Sequence, residues 1–174
     1  MRVLGLIVQY MEIVKATENQ VDIIRDLATR SWNFHYQNII SQQQIDYMLE
    51  MMYADAVLKL HFRNPYYHYY LFREHHEYVG FMGFEFNYEK HTTKLHRIYF
   101  LANAMGKGFG REAIQFLQTE VKNFGNRRII LAVNKNNSSK EFYEKCGFTV
   151  FHEGVFDIGN GYVMDDYLME WQWD

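Results

Sequence analysis

The chain has 174 residues, a net charge of −3, 48% hydrophobic residues and 22% charged ones, the proportions of a globular protein rather than a disordered or fibrous one. That mild acidity offers no basic face to nucleic acid, and no apolar run approaches the roughly 20 residues that cross a bilayer. The single cysteine, Cys146, excludes an internal disulfide and suits a reducing, cytoplasmic compartment.

In chain order, residues 1–10 carry an apolar block too short for a signal peptide, with no small-residue cleavage site after it. They read as a first strand, or as a leader before a start near Met11. Residues 11–16 read as a short strand. Thr17-Glu18-Asn19-Gln20 is a capping box, and Val21, Ile24, Leu27 and Ala28 then recur at helical spacing to about Trp32. Ser41-Gln42-Gln43-Gln44 repeats the cap. Ile45, Met48, Leu49 and Met52 mark a second helix, continuing brokenly through Leu58 and Leu60 until Pro65 ends it.

Residues 66–73, 78–88 and 94–101 read as three strands joined by short polar turns, an antiparallel meander. Gly80 and Gly83 mark a bulge or close approaches in the middle strand. Beyond a glycine loop, Phe109, Ala113, Leu117, Val121 and Phe124 share one helical stripe that Gly125 stops. Residues 129–133 are apolar and β-branched, as in a central strand covered on both faces. Ser138 to Glu141 form a third capping box, and Gly147 closes that short helix. Residues 148–156 and 162–173 are final strands around Gly159-Asn160-Gly161. With no repeat or linker, a single α+β domain over residues 1–174 is expected. Its sheet would be mixed, mostly antiparallel and twisted, with about six or seven strands and about four flanking helices.

The chemistry concentrates in Leu95 to Phe148. Gly106, Gly108 and Gly110 lack Cβ atoms, so their backbone can turn tightly and present N–H groups at a helix N-terminus, where phosphate is favoured. Lys107 and Arg111 add charge. Spacing alone leaves a bare strand-to-helix turn equally open. No Gly-Lys-Ser/Thr follows, which disfavours a P-loop. The glycines also follow a meander rather than opening a βαβ unit, which disfavours a dinucleotide fold.

Strand, Gly-x-Gly loop and helix are followed by Asn136, Ser139, Tyr143, Gly147 and Phe148 in fixed register. The segment resembles the GNAT superfamily of N-acetyltransferases. The resemblance implies a GNAT-like fold and acetyl-CoA as cosubstrate, with no metal. It implies that Ile98 and Phe100 offer backbone groups to the pantetheine arm. It also implies that the amides of Gly106, Lys107, Gly108, Phe109, Gly110 and Arg111 hold the pyrophosphate, with Asn136 and Ser139 near the cofactor arm. Tyr143 would protonate the departing thiolate, against a plainer reading as a packing tyrosine. Met105 stands where the family has Gln or Arg, which removes a polar contribution near the pyrophosphate and predicts weaker binding.

An attacking amine must lose a proton. His96 is one candidate base, with a half-exposed strand histidine as the plainer reading, and Glu85 on the preceding strand is its rival. Glu74-His75-His76-Glu77 reads as a solvated turn rather than a metal site, because adjacent strand histidines face opposite ways and no third ligand is suitably spaced. Cys146 reads as a buried structural thiol, and Asp165-Asp166 as a solvated strand start. Tyr167, Trp171 and Trp173 alternate as sheet core or as the contact of a homodimer.

The segment Asn136 to Phe148 and the tail Phe156 to Met169 are similar to the PaiA-type polyamine acetyltransferases. The expected reaction is acetyl transfer to a primary amine in a ternary complex, with spermidine or spermine the favoured small-molecule acceptor. Protein N-terminal, lysine or drug acetylation, or a non-catalytic acyl-CoA sensor, are the alternatives. An interaction protein using its aromatic sheet edge would bind no acetyl-CoA at all.

Overall fold

The computed structural model describes residues 10–173, so the strand-or-leader reading of residues 1–9 lies outside the described residues. Seven strands form one sheet: β1 (Met11–Lys15), β2 (Tyr67–Glu74), β3 (Glu77–Glu89), β4 (Thr92–Phe100), β5 (Arg128–Asn134), β6 (Thr149–Gly159) and β7 (Tyr162–Gln172). Their order is β1-β2-β3-β4-β5-β7-β6, and only the β4–β5 pair is parallel. The helices are α1 (Val21–His35), α2 (Gln42–Tyr53), α3 (Asp55–Arg63), α4 (Phe109–Phe124) and α5 (Ser139–Lys145). The expected broken helix of residues 42–63 is two helices, because Ala54 turns extended with ψ 144°.

The two faces of the sheet carry separate cores. On one, Ile24, Leu27 and Trp32 of α1, Ile45 of α2 and Leu58 of α3 cover Tyr69, Leu71 and Phe81. On the other, the predicted stripe of α4 covers Met82, Phe84, Leu95, Ile129 and Leu131. Phe124, at the end of that stripe, is 41% exposed but stacks on Phe86 at 4.0 Å. Each fully buried Leu or Phe contributes roughly 1.5–3 kcal/mol of transfer free energy, so these faces fix the strand register.

The expected caps form unevenly. The Gln20 side chain accepts from the Thr17 N–H at 3.0 Å, and the Ser41 hydroxyl accepts from the Gln44 N–H at 3.2 Å. The third box does not form: Ser138 already has helical dihedrals, φ −64° and ψ −8°, with no side-chain cap bond. Asn137 replaces it, its Oδ1 accepting from the Ser139 N–H at 2.9 Å. Gly125 and Gly147 end α4 and α5 as expected. His75 and His76 are the exposed turn between β2 and β3, both at positive φ, 47° and 71°.

One irregularity organises the rest. Leu95 pairs with Phe84 and Arg97 with Gly83, so His96 is an extra residue, a bulge in β4. Bulges bend a strand and change which face the following side chains take. Leu95, Ile98 and Phe100 therefore pack on the α4 side, whereas Arg97 and Tyr99 sit among the residues of the α1–α3 side. The bend also parts β4 from β5. Their pairing covers only Thr92–Lys94 against Arg128–Ile130, while β5 stays paired with β7 out to Asn134.

Candidate active site

The gap between the parted strands is a cavity of about 470 Å³. One wall is β4 from Leu95 to Phe100, the opposite wall Leu131–Val133 of β5, and the ends are the glycine loop and the start of α5. The edge of β4 that faces β5 lacks a strand partner here, so its backbone groups are free to meet an extended ligand. One is already engaged: the Phe100 carbonyl lies 2.9 Å from His35 Nε2.

Gly106 and Gly108 hold φ of 74° and 84°, in the left-handed region where a Cβ is strained, and the space beside both is open. The turn they make brings Gly108, Phe109, Gly110 and Arg111 to the cavity at the N-terminus of α4. The first N–H groups of a helix have no intrahelical acceptor and point outward, so the loop is a fitting cradle for a pyrophosphate. Met105 lines the same end of the cavity and is 51% exposed, with no polar group to offer.

Of the residues named from sequence, His96, Ile98, Phe100, Gly106, Gly108, Phe109, Gly110, Arg111, Ser139 and Tyr143 all line the cavity. Three do not. Lys107 turns away, its ammonium 2.9 Å from both oxygens of the buried Glu74. Asn136 is exposed, its N–H held by Asn134 Oδ1 at 2.9 Å, and its neighbour Asn137 faces the cavity instead. Glu85 stands behind His96, its carboxylate accepting from His96 Nε2 at 3.1 Å and from the Asn64 amide at 2.9 Å. That arrangement places the proton on Nε2 and leaves Nδ1 an acceptor.

The titration states follow from burial. Tyr143 is 8% exposed, and burial pushes its phenol up, helped by Tyr36 and Cys146, so it is a neutral proton donor across the physiological range. His96 is pushed down to about 3, by burial first and then by Lys94, Arg97 and His61, so its imidazole is neutral. Cys146 is half-buried and its thiol is raised by burial, in keeping with a structural role.

Other residues of the site went unnoticed in the sequence. Tyr36 lines the cavity, stacked on Trp32 at 4.4 Å, with its buried hydroxyl near Tyr99 and Asn137. It continues the helical stripe Ala28, Trp32 by one turn, a signal that was available. Asp166 on β7 acts on Tyr36 from outside the cavity lining; it is half-buried, its Oδ1 covered without a partner. Burial and then Asp165 raise its carboxyl to about 6, so it is no solvated strand start. Arg97 is 6% exposed at the cavity wall, and nothing in strand periodicity foretells it.

The sequence profile of the acetyltransferase (GNAT) family matches residues 21–148, most of the chain. The chain belongs to the GNAT acetyltransferase family. Membership makes it an acetyl-CoA-dependent N-acetyltransferase, and the splayed β4–β5 pair with the glycine loop is the candidate active site. Among solved structures it is similar to the PaiA N-acetyltransferase of Thermoplasma acidophilum in complex with coenzyme A. That pair is 21% identical over 94% of this chain and 99% of the other, with a TM-score of 0.80. A chimera of the spermidine N-acetyltransferase SpeG from Vibrio cholerae and hSSAT is 19% identical over 93% and 95%, TM-score 0.68. YncA from Salmonella typhimurium with acetyl-CoA is 18% identical over 95% of each chain, TM-score 0.65. No curated protein matches. Among the described residues, no helix is long and apolar enough to cross a membrane and no group of candidate metal ligands clusters.

Proposed function

We propose that this acetyltransferase moves the acetyl group of acetyl-CoA to a primary amine by direct attack in a ternary complex. One observation carries the reading. The unpaired edge of β4 and the amides of the glycine loop meet in the same cavity as the phenol of Tyr143. The pantetheine arm lies along Ile98, the pyrophosphate sits on the amides from Gly106 to Arg111, and Asn137 and Ser139 flank the arm. Asn137 takes the place first expected of Asn136. Acetyl-CoA supplies an activated acyl carbon.

The acceptor nitrogen enters beside Tyr36 and His96. Its lone pair forms the C–N bond, the C–S bond breaks, and the thiolate takes the proton of Tyr143. The surplus amine proton leaves through His96 Nδ1 or a water beside it, with the Glu85 carboxylate supporting the imidazole. An imidazole titrating near 3 is a weak acceptor, so the amine must reach the carbon already neutral.

The finer acceptor class is a polyamine such as spermidine. The name of one structural neighbour, a spermidine N-acetyltransferase, and the half-buried Asp166, whose Oδ1 has no partner, support it. The lone half-buried thiol fits a cytoplasmic setting. Met105 at the cavity supports a second reading, an acyl-CoA sensor without turnover. Thiol release from acetyl-CoA across a panel of amines separates the two. Amine-dependent release supports transfer, and binding without release at any amine contradicts it.

A further inference from the structure

Arg97 is a buried cation without a counter-ion. It is 6% exposed, belongs to the β4 stretch that walls the cavity with its guanidinium packed behind that wall, and pairs with no carboxylate among the described residues. Its guanidinium donates to the Tyr67 hydroxyl and, at 3.2 Å, to the Met52 carbonyl, while its Nε has no partner. Desolvating a charge costs several kcal/mol unless it is paired, so an unpaired arginine is an expensive choice at a position where Met or Leu would pack.

The surroundings hold that charge in place without cancelling it. The ring of Tyr53 lies 5.0 Å from the guanidinium, with those of Tyr67 and Tyr69 at 5.9 and 6.0 Å. Gly83 makes the room for this cage, since a Cβ there would come within 2.8 Å of the Tyr69 ring. The tyrosines remain neutral, pushed up by their own burial. The cage thus offers π-faces and hydroxyls but no negative charge. Tyr67 is sandwiched between His61, 4.3 Å and 4° away, and His96, 5.0 Å and 23° away. His61 faces Arg97 from α3, Tyr53 from α2, Tyr67 and Tyr69 from β2, and His96 and Tyr99 from β4, while Lys94 acts on His96 from the same strand. Glu85 of β3 is engaged by His96 and Asn64 rather than by Arg97. Both histidines are pushed down, His61 to about 4 and His96 to about 3, by burial first, with Arg97 a smaller cause in each.

We propose that Arg97 is a positioning residue that keeps the acceptor amine in its neutral, nucleophilic form. The inference rests on the amine-acetylation reading. An alkylammonium with a pKa of about 10.4 is neutral in only about one molecule in a thousand near pH 7.4. Only that fraction has the lone pair that forms the C–N bond, and His96 is too weak a base to strip the ammonium. A fixed positive charge in the low-dielectric interior behind the cavity wall disfavours the bound ammonium and leaves the bound neutral amine untouched. The departing proton goes to water before attack. The same logic activates a lysine amine placed beside a second cation.

The test follows kcat against pH, because kcat reports groups titrating in the complex. With spermidine as probe, or the fastest primary alkylamine of the panel, the wild-type acid limb should lie at least about two units below the pKa of the free amine. A limb at the amine's own pKa overturns the proposal without any variant. Arg97→Gln keeps donors for Tyr67 and Met52 but removes the charge. Its limb should move up by about one unit, with kcat about tenfold lower at pH 7 and recovered only about one unit above the shifted limb, near pH 10 to 10.5. KM should fall or stay level, since the ammonium now binds unproductively. Arg97→Lys should keep most of the wild-type profile. Acetyl-CoA affinity and melting temperature report whether each variant folds. A loss in Arg97→Gln that alkaline pH does not restore, or a raised KM with an unmoved limb, assigns Arg97 to packing alone and overturns the proposal. If wild type releases no thiol with any amine, it is the acetyl-transfer reading that falls.

Discussion

The two halves of the cleft are built from different materials. The cofactor half is backbone: an unpaired strand edge, two left-handed glycines and the first amides of α4. The half proposed for the acceptor is side chain: Tyr36, His96, Arg97 and Tyr99 line it, with Tyr53, Tyr67, Tyr69 and His61 packed around Arg97. Backbone groups do not titrate and barely depend on residue identity, so that half tolerates a departure such as Met105. The acceptor half works through charge states that burial sets, so a single substitution there changes chemistry rather than binding. One bulge, at His96, produces both. It leaves the edge of β4 unpaired on the half proposed for the cofactor and turns Arg97 onto the α1–α3 face.

Substitutions should separate the halves in order of size. Tyr143→Phe removes the proton for the thiolate and should lower kcat by about 10²-fold, with acetyl-CoA affinity within about twofold of wild type in a calorimetric titration. An equal loss of affinity would return Tyr143 to a packing role. Gly108→Val places a β-branched residue at φ 84° and should weaken acetyl-CoA binding by about tenfold, with unchanged kcat at saturation. His96→Ala, in initial-rate assays, should reduce kcat less than Tyr143→Phe does, by about tenfold. Normal turnover with an unchanged pH profile would remove His96 from the mechanism. Met105→Gln should tighten acetyl-CoA binding by only about two- to threefold, because it adds one polar contact to a cradle already made of amides.

Stability against acid sharpens the same contrast. His61 and His96 have folded pKa values of about 4 and about 3, below the usual value near 6.5. Between those limits the unfolded chain binds more protons than the folded one, so stability falls as pH drops from about 6.5 toward 4. Asp166 acts oppositely: its folded pKa of about 6 is raised, so its contribution declines as pH rises through about 4 to 6. A melting-temperature series over pH 4–8 should show the histidine effect dominant, and the double variant His61→Gln/His96→Gln should flatten it. Glycine-loop variants should leave the acid limb of stability as it is in wild type.

Much of the fold was legible because it rests on local periodicity. The meander, the α4 stripe and the Gly125 and Gly147 stops are the period-2 and period-3.6 patterns made visible. What escaped the sequence was what a strand does when it breaks its period. With His96 counted as an ordinary alternating residue, Arg97 shares a face with Leu95, and no pattern reveals that it is turned into a cage of tyrosines. The same one-residue uncertainty put Asn137 rather than Asn136 at the cavity, since the turn after β5 uses Asn134 to bind the Asn136 N–H. Lys107 looked like a phosphate ligand because Glu74, its partner, is 33 residues away in sequence.

The most direct measurement is a steady-state and product analysis of the purified protein with acetyl-CoA and spermidine or another primary amine. The account predicts thiol release that requires the amine, intersecting initial-rate patterns of a ternary complex, and one acetylated amine, identified by mass, for each thiol released. Release without amine, or an acetyl group found on the protein when amine is left out, would contradict direct attack in a ternary complex.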